Sequence, residues 1–150
     1  MPLLNYTTSI EASKTASQVE DILVKHGARQ ILKEYEDVSG QLQALSFIVP
    51  TPNGNVPIRL PIDPEAIKKV LNRQRVRTRI DHAQCVRIAW RIVKDWVEAQ
   101  MALLETEMVK MEQIFLPYVL IDEKKTLYQA YTEHKLLGQG TTLDAQKKED

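Results

Sequence analysis

A chain of 150 residues with 43% hydrophobic and 27% charged residues has the size and composition of one globular domain, which excludes a disordered or fibrous polypeptide. No apolar run approaches the roughly 18 residues needed to cross a bilayer, the start Met1-Pro2-Leu3-Leu4-Asn5 carries no basic leader region, and the single Cys85 excludes an intrachain disulfide, so the expectation is a cytoplasmic protein with no membrane partner. Net charge is zero, yet Lys68 to Lys94 holds nine Lys/Arg against one acid, Asp81, so that stretch is +8 and the remainder −8.

In chain order, Leu3 to Ile10 favours an extended strand through Tyr6, Thr7, Thr8 and Ile10. A first helix is expected over about 15–26, with Thr15/Gln18 or Ser17/Glu20 as its capping box and Gly27 as its stop. Arg29 to Glu36 reads as a strand, Asp37-Val38-Ser39-Gly40 as a turn, and Leu42 to Val49 as a strongly apolar strand. Asn53-Gly54 signals a hairpin. Beyond it Val56, Ile58, Leu60 and Ile62 alternate with Pro57, Arg59 and Pro61, a period-2 pattern whose prolines place it at a sheet edge.

Asp63-Pro64-Glu65 opens the next helix, because Asp caps, Pro suits the first helical position and Glu suits the positive end of the dipole. Arg73 to Arg79 reads as a basic connector. From Asp81 an apolar row, Trp90, Val93, Val97, Met101, Leu104, Met108, Met111 and Phe115, runs at helical spacing, widened by Ile88, Ile92 and Trp96. Unbroken to Leu116 it would measure about 54 Å, so a break is expected near Thr106, with Thr106 capping a second helical segment and Pro117 ending the run. Thr126 to His134 reads as a last short helix. The order is β-α-β-β-β-α-α-α: an α+β domain over 1–137, a small antiparallel sheet with C-terminal helices on one face, one of them long, and a polar tail over 138–150.

The basic segment is the leading candidate site. Arg73, Arg75, Arg77 and Arg79 alternate at i, i+2 and would project to one side of an extended connector, while Arg87, Arg91 and Lys94 would form one helical stripe. Guanidinium forks match phosphate oxygens, and Arg59 between two prolines is a candidate wall residue for a nucleotide pocket. The ordinary alternative is a solvated face, or ion pairs with the chain's own acids. His82 and Cys85 lie three apart on one helix, but two ligands do not make a metal site or a nucleophile pair; no metal and no cofactor is expected. Glu34/Glu36 and Glu105/Glu107 read as solvated carboxylates, Trp90 and Trp96 as core rather than base-stacking platforms, and no nucleotide-loop, zinc-protease or nucleophile-elbow motif is present. The long apolar stripe over 81–116 suggests a homo-oligomer built on that helical region.

The run Ile88-Ala89-Trp90-Arg91-Ile92-Val93-Lys94-Asp95-Trp96-Val97-Glu98-Ala99-Gln100, with Phe115-Leu116-Pro117-Tyr118, Ala44-Leu45-Ser46-Phe47 and Ile58-Arg59-Leu60-Pro61, resembles a family of small bacteriophage and prophage proteins over about Asn5 to Tyr131. The family has no established activity, so the resemblance implies no catalytic residues. It implies a phage gene product in a bacterial cytoplasm, in replication, recombination or evasion of host defence. The combined expectation is a non-enzymatic binding protein for a phosphate-bearing ligand, with nucleic acid favoured. The alternatives are an oligomeric sponge for a nucleotide immune signal and a protein–protein inhibitor of a host factor.

Overall fold

The computed structural model describes residues 2–76 and 80–134. Its frame is a three-stranded antiparallel meander of β1 (Gln30–Tyr35), β2 (Leu42–Thr51) and β3 (Gly54–Arg59), with β2 in the middle. Leu45, Phe47 and Val49 of β2 point into the main core, flanked at Phe47 by Ile31 and Ile58. The opposite face of β2 carries Ala44 and Ser46, small residues that are nevertheless buried. Gly54 closes the hairpin at φ +113°, a backbone conformation that other residues seldom adopt.

The proline-rich strand is an edge, and the ladder explains why Pro57 is tolerated. Leu60 N–H donates to Leu45 O at 3.0 Å, so residues of even number in this segment face β2 and Pro57 faces outward. Pro57 loses no ladder bond, and its carbonyl instead accepts from Leu120 N–H at 2.8 Å. Val119 bridges Ile58 in the same place, so a short extended segment shields the β3 edge.

Helices cover one face of the sheet. α1 (Ala12–Lys25) and α2 (Pro64–Gln74) both pack on α3 (His82–Glu105), and α1 also reaches β2. The chain ends in α4 (Met111–Phe115), a 3-10 turn (Leu116–Tyr118) and α5 (Leu127–His134). Asp63 accepts from Ala66 N–H at 3.3 Å with Pro64 behind it, and Asp81 accepts from Gln84 N–H at 2.8 Å, so both helices start where their caps predict. The architecture is α+β with the helices on one side, as expected. Among the described residues no helix is long and apolar enough to cross a membrane.

Four local expectations give way. Leu3 to Ile10 is not a strand: Leu3–Tyr6 and Asn5–Thr8 hydrogen bonds fold it into turns, with Asn5 at φ +64°. Gln84 Nε2 holds the carbonyls of Tyr6 and Thr8 at 3.1 and 2.9 Å, and Asn5 donates to Asp95 at 2.9 Å. These contacts span more than seventy residues and override local β propensity. α1 starts at Ala12 with Glu11 at its N-cap, so neither capping box operates; Thr15 is buried inside the helix. Arg73 belongs to α2 and Arg75 forms its left-handed C-cap, so this part of the connector is not extended and the i, i+2 argument fails there. α3 does stop at Thr106, but Thr106 closes it rather than opening α4, which Lys110 precedes.

The apolar stripe of α3 is consumed within the chain. Trp90, Val93, Val97 and Met101 are buried in the main core with α1 and the sheet, while Met108 lies beyond the helix and is 68% exposed. The stripe therefore offers no open face, and the ground for an oligomer built on 81–116 is removed. The tail over 138–150 lies outside the described residues.

Candidate functional site

The fold divides the predicted basic site into two groups. Arg87, Arg91 and Lys94 are on α3, and each is engaged by the chain itself. Arg87 donates from Nε to Gln84 Oε1 at 2.9 Å and reaches Glu11 at 3.9 Å. Arg91 donates from Nη1 to Gln18 Oε1 at 2.7 Å, and its Nε is buried without a partner. Lys94 pairs with Glu98 one turn on, at 2.7 Å. The expected free helical stripe is thus corrected: α1 and the segment before it pack on α3 and bring Glu11 and Gln18 to these cations.

Arg59 is tied as well. Its guanidinium meets Glu34 at 2.7 Å across the width of the sheet. In the register Glu34 lies opposite Ala44 and Arg59 opposite Ser46, so the pair bridges β1 to β3 over the two smallest side chains of β2. This accounts for the burial of Ala44 and Ser46. Beside the pair a groove of about 340 Å³ is lined by Leu32, Ile48, Pro57 and Leu120 among others. A wall of that groove made by a neutralised arginine is poorly suited to a nucleotide phosphate.

The second group lies on α2 and its terminal turn. Ile67 and Leu71 turn toward α3, with Leu71, Cys85 and Ile88 forming a small core apart from the main one. The 100° step then leaves Lys68, Lys69 and Arg73 on the solvent side, and Arg75 follows at φ +52°; all four are exposed. None makes an ion pair with a described residue. Lys68 and Lys69 belong to the basic run of the sequence but not to its candidate contacts; the signal that finds them is the amphipathic phase of α2. Arg77 and Arg79 lie outside the described residues.

The remaining constellations hold no catalytic or metal geometry. His82 Nε2 meets both oxygens of Glu36 at 3.0 Å, whereas Cys85 is buried in the small core, where desolvation pushes its thiol pKa up. The two side chains share a helix and not a site. Ser39, Glu36 and His82 supply the residue types of a hydrolytic triad in the wrong order. Glu36 accepts from Ser39 and also meets His82, so the imidazole never touches the hydroxyl it would have to deprotonate. The Ser39 hydroxyl first, then the His82 contact, holds the Glu36 carboxyl below its usual range. Among the described residues no three His, Cys, Asp or Glu side chains gather to hold a metal.

Neither tryptophan is a stacking platform. Trp90 is fully buried and donates to Leu42 O at 3.1 Å. Trp96 stands edge-on to Phe115 and Tyr118, each at 5.6 Å between ring centres, and Phe115 in turn meets Phe47 at 5.3 Å. These contacts join α3 to the C-terminal turns through aromatic packing. A polar recess of about 470 Å³ lies between the N-terminal segment and α3, lined by Thr7, Thr8, Ser9, Glu11, Asp81, Gln84 and Arg87. Its one arginine is already held by Gln84 and Glu11, which disfavours an anion. Set against family models, curated proteins and solved structures, the chain matches none of the three kinds.

Proposed function

We propose that this chain is a non-enzymatic binding protein that holds a phosphate-bearing polymer, nucleic acid in the first place, against the solvent face of α2 and its terminal turn. The observation behind this reading is the contrast in pairing. Lys68, Lys69, Arg73 and Arg75 reach solvent with no described ionic partner, while Arg59, Arg87 and Lys94 each meet a carboxylate. Unpaired cations on a short helix can displace condensed counterions from a polyanion; cations already paired must first break a bond. The contacts chosen from the sequence therefore narrow to Arg73 and Arg75 and extend to Lys68 and Lys69. A role for a small phage protein in replication, recombination or evasion of host defence in the bacterial cytoplasm belongs to the same proposal.

The test is a salt titration of binding to a labelled DNA duplex. Four cations engaging phosphates give a log–log slope of about −3 to −4. Absence of binding at low salt, or a slope near zero, removes the reading. Saturable uptake of one mononucleotide per site by calorimetry, with no duplex binding, would instead favour the nucleotide sponge.

A further inference from the structure

The two edges of the sheet are finished differently, and the difference points to a partner. The β3 edge has Pro57 turned outward and Val119 to Ile121 beside it. The β1 edge has no strand, helix or loop paired to it among the described residues. Leu60 N–H donates to Leu45 O at 3.0 Å, so Leu45 faces β3 and its neighbour Ser46 faces β1; the register pairs Ser46 with Leu32, so the even positions of β1 face β2. The N–H and C=O groups of Ile31, Lys33 and Tyr35 therefore point away from the sheet. Large apolar side chains border this edge: Leu32 is 60% exposed, Tyr35 56% and Val24 of α1 48%. Natural edges of this kind are usually blunted by proline, a bulge or a charge aimed at the incoming strand; the one register shift of β1 lies between Glu34 and Tyr35 at its C-terminal end and leaves Gln30 to Glu34 in regular register. Here the one cation on the outward positions, Lys33, is drawn to Glu20 of α1 at 2.9 Å.

We propose that β1 pairs antiparallel with β1 of a second copy, making a continuous six-stranded sheet about a two-fold axis at Leu32. The choice of partner and register follows from the strand itself. Outward groups must oppose outward groups, which allows the axis at Leu32, Lys33 or Glu34 while keeping most of the strand paired. An axis at Lys33 or Glu34 sets a like charge directly against its copy, which is unfavourable. An axis at Leu32 sets the exposed leucine against itself, Gln30 beside Glu34, and Ile31 against Lys33 with both backbone bonds exchanged. Arg29 adds no further rung, because its N–H is already given to Ile48 O at 3.0 Å. The interface is therefore short, below the roughly 1,200 Å² of standard complexes, and association is expected to be weak. This inference does not depend on the polyanion reading; it uses a different part of the molecule.

Sedimentation equilibrium of the full chain up to about 1 mM, the weak end of specific affinities, should show mass rising from 17.2 kDa toward twice that value. Lys33→Pro removes an outward N–H on each copy, a change an edge strand tolerates, and should weaken association about tenfold or more while circular dichroism stays native. Should that variant fail to fold, Leu32→Glu alters only an exposed side chain and sets two carboxylates at the axis, with the same expected loss. Leu32→Cys should form an intermolecular disulfide on mild oxidation, because opposed residues at this kind of position sit about 4.5 Å apart at Cα; Cys85 is buried and supplies no competing thiol. A wild-type chain that stays at monomer mass throughout overturns the proposal. So does a dimer that folded Lys33→Pro or Leu32→Glu leaves unchanged, or one in which Leu32→Cys does not cross-link.

Discussion

α2 and α3 lie side by side in one basic stretch of sequence, yet the fold treats them in opposite ways. α3 buries eight residues and is enclosed by α1, α2 and the sheet, so nearly every polar group along it finds something to hold. α2 buries one residue, Leu71, and packs on α3 and on the N-terminal segment, whose Leu3 N–H donates to Gln74 Oε1 at 2.8 Å. Among the described residues nothing pairs with the cations of its solvent side, so they stay available. The lesson is that charge density along a chain measures supply, while packing decides access. A cation on a helix with neighbours on several sides is a structural residue until shown otherwise. A cation on a helix face that no described residue covers is open to a ligand.

The largest test of that contrast is in stability. Trp90→Ala removes a fully buried indole and its hydrogen bond to Leu42 O, and should cost about 4 kcal/mol in chemical denaturation. Leu71→Ala opens only the small core with Cys85 and Ile88 and should cost about 2–3 kcal/mol. Hydrogen exchange should then show α2 losing protection while α1 and the sheet keep theirs. Equal loss everywhere would mean that the two cores unfold as one unit and that α2 is not the looser partner.

Next in size is binding. Lys69→Gln with Arg73→Gln should lower duplex affinity about tenfold and flatten the salt slope by about 2. Arg87→Gln with Lys94→Gln removes the same formal charge from α3 and should change affinity less than about twofold, because those groups are already held by Glu11 and Glu98. The pair of variants also separates ligand binding from a simpler role for Arg73, which sits at the negative end of the α2 dipole and would by that alone contribute about 0.3–1 kcal/mol to stability. Affinity loss without a matching stability loss identifies the ligand role. At the other end of α2, Asp63→Ala deletes the cap on Ala66 N–H and should cost about 1 kcal/mol, read from the denaturation midpoint.

What the sequence discloses and what it hides divide along the same line. The hairpin at Asn53-Gly54, the edge character of the proline strand, the Asp63 and Asp81 caps and the stop at Thr106 are local signals, and the structure follows them. The N-terminal turns depend on Gln84 and Asp95, which lie far along the chain. The fate of Arg59 depends on Glu34 two strands away, and that of Arg91 on Gln18 in another helix. Such pairings follow from register and helix docking, which no local spacing encodes. The basic site was legible as composition; which of its members reach solvent was not, except for the amphipathic phase of α2.

The smallest expected effect concerns the tether between the β1–β2 turn and the start of α3. Glu36 touches both Ser39 and His82, and its carboxyl lies below the usual range chiefly because the Ser39 hydroxyl donates to it. A depressed carboxyl pKa stabilises the fold above the unfolded value, and the contribution disappears as pH falls through the folded value. Ser39→Ala removes the principal cause, so the variant should be slightly less stable than wild type near neutral pH. The gap should close on acidification below the ordinary glutamate range, since both proteins then carry a protonated Glu36. Denaturation midpoints measured across that range would show this convergence. A gap that persists unchanged into acid would mean that Ser39 acts through turn geometry, by way of its contact with Gln41 N–H at 3.2 Å, and not through the charge on Glu36. α2, which has no such tether to the sheet, should show no corresponding acid limb in its local exchange.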